Sequence, residues 1–394
     1  MDTVTMDPML TWMQVFALAA AGVVFALLGS IKIPLARQLN IDEAKVGGLI
    51  SVFGFTWIPM VFAAGILADI YGKQAVLGTG FVLVIISLLM LANMKSYGAV
   101  LFAVLALGTG WSAQVNVLNV TTPPAFLPES EILTRMAYAM NLGDFIFGVG
   151  TFITPMIVVI LIGKIGLVRT FYGLILVAII PVLLGLGVDW DAKTLNPEAT
   201  HSVGAGLRAL MTDPVVWICC IAFFFHVPIE ISLATWATTL ITDKGVSEAT
   251  ASTLLSVFWL TFLASRLITA LCLPEGYDTT LVITMAGLCI AFTGGIVLSR
   301  SAQLTCVLVV LAGTILGPIF PTLIAILLTH VDEGLRARAV GIFFSIGGIG
   351  CTTVPILIGL YAKKTSVQQG FLIVMISAVA LCLVAILLMI NLPH

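Results

Sequence analysis

The sequence predicts an all-α polytopic membrane protein, with twelve transmembrane helices in two pseudo-symmetric six-helix bundles. Three observations carry that prediction. Of 394 residues, 60% are apolar and only 9% are charged, against roughly 25% charged in an ordinary soluble domain. The apolar residues come in runs of about 20, long enough to cross a bilayer, where only helices or closed barrels satisfy every backbone polar group. Short stretches of the first half also return in the second.

Taken in order, spans are expected near residues 12–36, 46–67, 76–94, 98–120, 136–162, 168–188, 214–241, 249–271, 279–298, 303–328, 338–361 and 368–391. The leading MDTVTMDPML is acidic and lacks the basic flank of a signal peptide, so the first run is read as a retained helix. The longest polar break runs from Asp189 to Asp213. It divides the chain into an N-terminal bundle of residues 1–188, a linker of 189–213 and a C-terminal bundle of 214–394.

LISVFGFTW, Leu49 to Trp57 in the second span, returns as LLSVFWLTF, Leu254 to Phe262 in the eighth. GVGTFITP, Gly148 to Pro155 in the fifth, returns as GIGCTTVP, Gly348 to Pro355 in the eleventh. Both matches link a span to the one six places later. Parallel repeats of six helices mark two-domain transporters that bind substrate at the domain interface, near mid-membrane.

The net charge of −2 favours no nucleic-acid partner. The seven cysteines fall in apolar segments without metal-ligand spacing and read as reduced packing residues. No nucleotide-binding loop, zinc motif or nucleophile elbow appears. The chain therefore reads as no enzyme, with no cofactor and no metal, driven by a gradient.

Between the second and third spans lies GILADIYGK, with Gly65, Asp69, Gly72 and Lys73 at the spacing of a loop motif of the major facilitator superfamily. Ile70 and Gln74 stand where that motif carries basic residues. Gly29 and Pro34, the asparagines Asn116 and Asn119 before a proline-rich turn, Asn141 with Gly150 and Pro155, and Glu230 followed by Trp236 are similar to the fucose permease and glucose/galactose branch. Where that branch often carries a carboxylate in the fourth span, this chain has Gln114 and Asn116. The resemblance implies cytoplasmic termini, a cytoplasmic linker, a bacterial inner (plasma) membrane location and a monomer. Loop charge leans the other way, placing more Lys and Arg on the outer side than on the inner.

An ionisable side chain at membrane depth is costly unless paired or solvated, which makes it a functional candidate. Lys32, Asp144, His226, Glu230 and Arg266 qualify. His226 and Glu230 lie one helical turn apart on one face, with Pro228 between them. A carboxylate reached by water from alternating sides can take up and release a proton. The pair reads as a proton-coupling or substrate-binding site, or else as a structural tie to a neighbouring helix. Trp236 either stacks on a sugar ring or packs. Gln114, Asn116 and Asn119 are further substrate-binding candidates. Lys32 either pairs with Glu230, meets an anionic substrate, or snorkels outward.

Asp144 and Arg266 are expected to pair as an inner gate, with recognition of a substrate carboxylate by Arg266 as the alternative. By the resemblance, Asp69 and Lys73 hold one conformational state closed, with Arg336 and Arg338 at the corresponding rim of the other half. The leading function is a secondary transporter that moves a small, sugar-like polar solute by alternating access, coupled to protons. A carriage of small organic anions through Lys32 and Arg266 is the second reading. A ligand sensor is the third, disfavoured because the termini extend little beyond the outer helices. The expected partners are the solute, protons and the lipid bilayer.

Overall fold

A computed structural model describes residues 6–195 and 202–392. Residues 196–201, inside the expected linker, lie outside the described residues. All twelve spans form, as α1 (Pro8–Ser30, continued as Lys32–Leu39), α2 (Glu43–Tyr71), α3 (Lys73–Asn93), α4 (Tyr97–Phe126), α5 (Met136–Ile165) and α6 (Leu167–Gly185), then α7 (Pro214–Thr242), α8 (Glu248–Cys272), α9 (Asp278–Leu298), α10 (Ala302–Leu316, continued as Ile319–His330), α11 (Arg336–Ala362) and α12 (Val367–Asn391). A short helix, Val203–Thr212, precedes α7.

The starts are set by local chemistry. Asp7 and Asp213 cap α1 and α7, each followed by a proline whose missing N–H costs nothing in the first turn. Asp42, Ser96, Ser247, Ser301 and Ser366 each accept a first-turn backbone N–H. Gly72, at φ 86°, lets α2 turn directly into α3. The expected proline-rich turn after Asn119 is instead helix: Pro123 and Pro124 lie in the last turn of α4, which ends at Phe126. Leu127 N–H still closes onto the Pro123 carbonyl.

Packing gathers the chain into two units. The first holds Met1–Leu133, Ile146–Arg208 and Asp332–Ser345; the second holds Thr134–Phe145, Ala209–Val331 and Ile346–His394. Membership follows chain order except at the starts of α5 and α11, each of which belongs to the opposite unit.

Within each unit the same close approaches recur. A Cβ at Gly150 on α5 would lie 2.2 Å from the Ala19 carbonyl oxygen of α1; one at Gly350 on α11 would lie 2.3 Å from that of Phe224 on α7. Gly108 on α4 meets Phe53 and Thr56 of α2, as Gly313 on α10 meets Phe258 and Thr261 of α8. The repeat read in the sequence is therefore also a repeat of helix–helix contacts. Leu176, Leu186, Leu298 and Ile390 are among many large apolar side chains left exposed. That coat fits lipid, where small interfacial residues and not hydrophobicity bring helices together.

Candidate functional site

In the second unit, four titratable side chains from three helices form one cluster. Arg266, on α8, is at its centre and is buried. Its Nη2 lies 2.8 Å from Asp144 Oδ2. Its Nη1 donates to the Asp144 carbonyl at 3.3 Å, and its Nε donates to the Gly317 carbonyl at 3.0 Å. The guanidinium also lies over the Phe262 ring, 4.3 Å from its centroid. Two side chains at membrane depth thus meet in a pair, as their cost there requires.

His226 and Glu230 project from α7. Their closest approach, Nε2 to Oε2, is 3.7 Å, an electrostatic contact too long for a hydrogen bond. His226 is fully buried, whereas the Glu230 side chain keeps 20% of its surface accessible. Arg266 is within electrostatic reach of both. Among the described residues, neither His226 ring nitrogen has a hydrogen-bond partner, and neither does the buried Trp236 Nε1. Polar atoms buried this way invite water or a polar ligand.

Pro228 removes the donor that would close onto the Phe224 carbonyl one turn earlier. That carbonyl packs closely against Gly350 on α11, where a Cβ would lie 2.3 Å from it. Phe223 stacks on His226 at 6.5 Å, and its ring leaves no room for a side chain at Gly347. Asn141, one turn before Asp144 on α5, donates to Thr322 Oγ1 of α10 at 3.2 Å.

In the first unit, α2 presents a stripe to the start of α11. Ser345 donates to the Ile58 carbonyl, Gly341 meets Val61 and Phe62, and Gly65 lies against the Ala337 carbonyl. Asp69 ends the stripe in an ion pair with Arg338. Arg338 also donates to the Val203 and Gly334 carbonyls. Asp69 and Arg338, expected at corresponding rims, are therefore partners. Lys73 does not pair with Asp69 but donates to the Leu195 carbonyl, and Arg336 bonds Glu333 at 3.3 Å.

The other candidates go elsewhere. Lys32 pairs with Glu43 at 3.5 Å on an exposed surface and not with Glu230. The cause is local: α1 breaks at Ile31, and Lys32 opens its last segment. Asn116 is fully buried, and its Nδ2 donates to the Val61 and Ala337 carbonyls. Asn119 donates to Val115 on its own helix. Gln114 is buried in the first unit beside a small cavity with Phe81, Val84 and Leu88. None of these joins the cluster around Arg266.

Sequence reading missed two members of the site. Gly317 carries no polar side chain to mark it, and Phe262 entered the sequence reading only as the end of the repeat from Leu254. The Gly317-Pro318 pair was the available signal for a helix break.

Residues 14–275 match the family described as Major Facilitator Superfamily. Bypass of stop codon protein 6 of Saccharomyces cerevisiae is 24% identical over 174 residues, which cover 41% of this chain and 35% of that protein. The match thus spans about a third of that relative's length. The solved E. coli fucose:proton symporter FucP is similar at TM-score 0.82 and 15% identity, over 95% of this chain and 97% of that one. The human organic anion transporter MFSD10 is similar at TM-score 0.74 and 15% identity, over 96% and 99%.

Proposed function

We propose, from the premise that this chain belongs to the major facilitator superfamily of membrane transporters, that it moves a small neutral polar solute, sugar-like in size and hydroxyl content, together with protons. The chain is an integral multi-pass membrane protein, and the family implies a small-molecule substrate.

One observation carries the finer reading. The guanidinium that would receive a substrate carboxylate already has Asp144 and the Gly317 carbonyl as partners. Lys32, the other cation invoked for an anion, is paired with Glu43 at the surface. Glu230, beside His226, keeps partial access to solvent and has no ion pair with Arg266 or Lys32 among the described residues. Glu230 is then the proton carrier, and His226 and Trp236 supply hydrogen bonds to the solute. Asp144–Arg266 and Asp69–Arg338 are conformational latches that break and reform during alternating access. The fold likeness to a fucose:proton symporter supports this reading. The likeness to an organic anion transporter supports the alternative.

The N-terminal bundle 1–188 and the C-terminal bundle 214–394 are halves of one duplication joined by a cytoplasmic linker. Both termini face the cytoplasm of a bacterial cell, and the protein acts as a monomer. Counterflow in proteoliposomes, comparing labelled sugars with labelled carboxylates, tests the substrate class. Exchange of carboxylates alone would transfer the proposal to the anion reading. A reporter fused after His394 that is active only in the cytoplasm tests the orientation.

A further inference from the structure

The break in α10 lies between Leu316 and Ile319, at Gly317 and Pro318. In a continuous helix the Gly317 carbonyl would accept from the N–H four residues on. That residue is Pro321, which has none. The donor to this carbonyl is instead Arg266 Nε, at 3.0 Å. Gly317 is also pressed against α8: a Cβ there would lie 2.4 Å from the Phe262 carbonyl oxygen and 2.2 Å from Ser265 Oγ. Phe262 is one turn before Arg266, so this contact brings the freed carbonyl to the guanidinium. Pro318 frees the Thr314 carbonyl in the same way, but Thr314 is exposed, and the backbone carbonyls that Arg266 bonds are those of Gly317 and Asp144.

We propose that Pro321 is a positioning residue for the transport site. By withholding a helical donor, it turns the Gly317 carbonyl into a second anchor for Arg266. The first anchor, Asp144, belongs to the start of α5 and is the one that a latch must release. The second belongs to α10 and stays. When Asp144 lets go, Arg266 remains within reach of His226 and Glu230 instead of leaving for water. Its positive charge therefore stays beside the proton carrier through the cycle. This proposal rests on the transport reading for its purpose, but the anchoring itself can be tested without transport.

The test is a thermal-stability cycle on the full-length protein in detergent. Pro321→Ala restores a donor at 321 that competes for the Gly317 carbonyl, and Asp144→Asn weakens the other anchor. Each single variant leaves one of these two anchors intact, beside the Asp144 backbone carbonyl that both keep. The double variant should lose more in melting temperature than the two singles together, by several degrees. Pro318→Ala, which relieves the neighbouring break but serves the Thr314 carbonyl, should show no such coupling to Asp144→Asn. Additive losses, or equal coupling from Pro318→Ala, would overturn the proposal. In proteoliposomes, Pro321→Ala should move the pH midpoint of solute-proton uptake while Pro318→Ala does not. An unmoved midpoint with intact uptake would also overturn it. A wild-type protein that exchanges no solute would instead count against the transport reading and leave the stability cycle standing.

Discussion

Where the second unit places Glu230 on α7, one turn from His226, the first unit places Phe25 on α1, one turn from Ala21. The correspondence follows the repeat, which pairs Leu49 with Leu254 and Gly150 with Gly350. Arg266 has Val61 as its counterpart, and Asp144 has Phe344. The first unit fills these places with apolar residues, Ala21, Phe25, Val61 and Phe344, within an aromatic cluster. Trp111 stacks on Phe25 at 5.3 Å and meets Trp57 edge-on at 5.7 Å, and Trp57 meets Phe344 at 6.2 Å. The second fills them with an arginine, two carboxylates and a histidine. At these four equivalent places, one copy of the repeat is apolar and the other titratable.

The two ion pairs also sit at different places in the repeat. In the first unit the ion pair uses Asp69, at the end of α2. In the second it uses Arg266, whose counterpart Val61 lies eight residues earlier, about 12 Å deeper at 1.5 Å per residue. Both pairs are equally buried; what distinguishes the second is that Arg266 is within electrostatic reach of Glu230.

The largest break in the comparison is Glu230→Gln. The amide keeps shape and hydrogen bonding but cannot titrate. Proton-driven accumulation should be abolished, while exchange of solute down its gradient persists. Accumulation under an inward proton gradient by the variant would mean that the proton carrier lies elsewhere. Loss of exchange as well would assign Glu230 to the solute.

Next come Asp144→Ala and Arg266→Ala. Each leaves a buried charge without its partner and should destabilise by about 3–5 kcal/mol, with the double change costing less than the sum. Thermal unfolding in detergent measures this. Strict additivity would separate the two residues and remove the second latch.

Much of this was legible beforehand. Twelve spans followed from hydropathy, because the bilayer fixes the length of an apolar run. The Asp144–Arg266 pair followed from the cost of charge at depth, which forces the few ionisable groups together. Partners that are backbone atoms left no trace. Arg266 needed Gly317, Asn116 needed Val61 and Ala337, and Lys73 needed Leu195, and a carbonyl looks the same at every position in a sequence. Gly29 and Pro34 flank the break at Ile31, so the break itself was legible, but nothing in the sequence said that it turns Lys32 outward to Glu43 and not inward.

A smaller difference should appear at equivalent glycines. A Cβ at Gly108 would lie 3.0 Å from Thr56 Cβ and 3.4 Å from the Phe53 carbonyl oxygen, a tight contact that a shift of a few tenths of an ångström relieves. At Gly313 it would lie 2.2 Å from the Phe258 carbonyl oxygen, too close for such a shift to relieve. Gly313→Ala should therefore cost about 1–3 kcal/mol, the usual range for overpacking, and Gly108→Ala clearly less. Equal losses in melting temperature would mean that the two contacts are equally tight and would remove this difference.

The smallest effect is expected at the centre of the aromatic half. Trp111 Nε1 donates to the Ala21 carbonyl at 3.1 Å, and Ala21 is the counterpart of His226. Trp111→Phe keeps a ring in place and removes that bond, at a cost of about 1 kcal/mol. If chemistry resides in the second unit, the variant should unfold slightly earlier. The pH dependence of its solute-proton uptake should match that of the parent, because nothing that titrates has been touched. The KM for solute separates the remaining possibilities. An unchanged KM keeps the aromatic cluster as packing, whereas a rise of tenfold or more, about 1.4 kcal/mol of binding, would place a ring of the first unit against the solute. The comparison would then be between a half that holds the solute and a half that moves the proton.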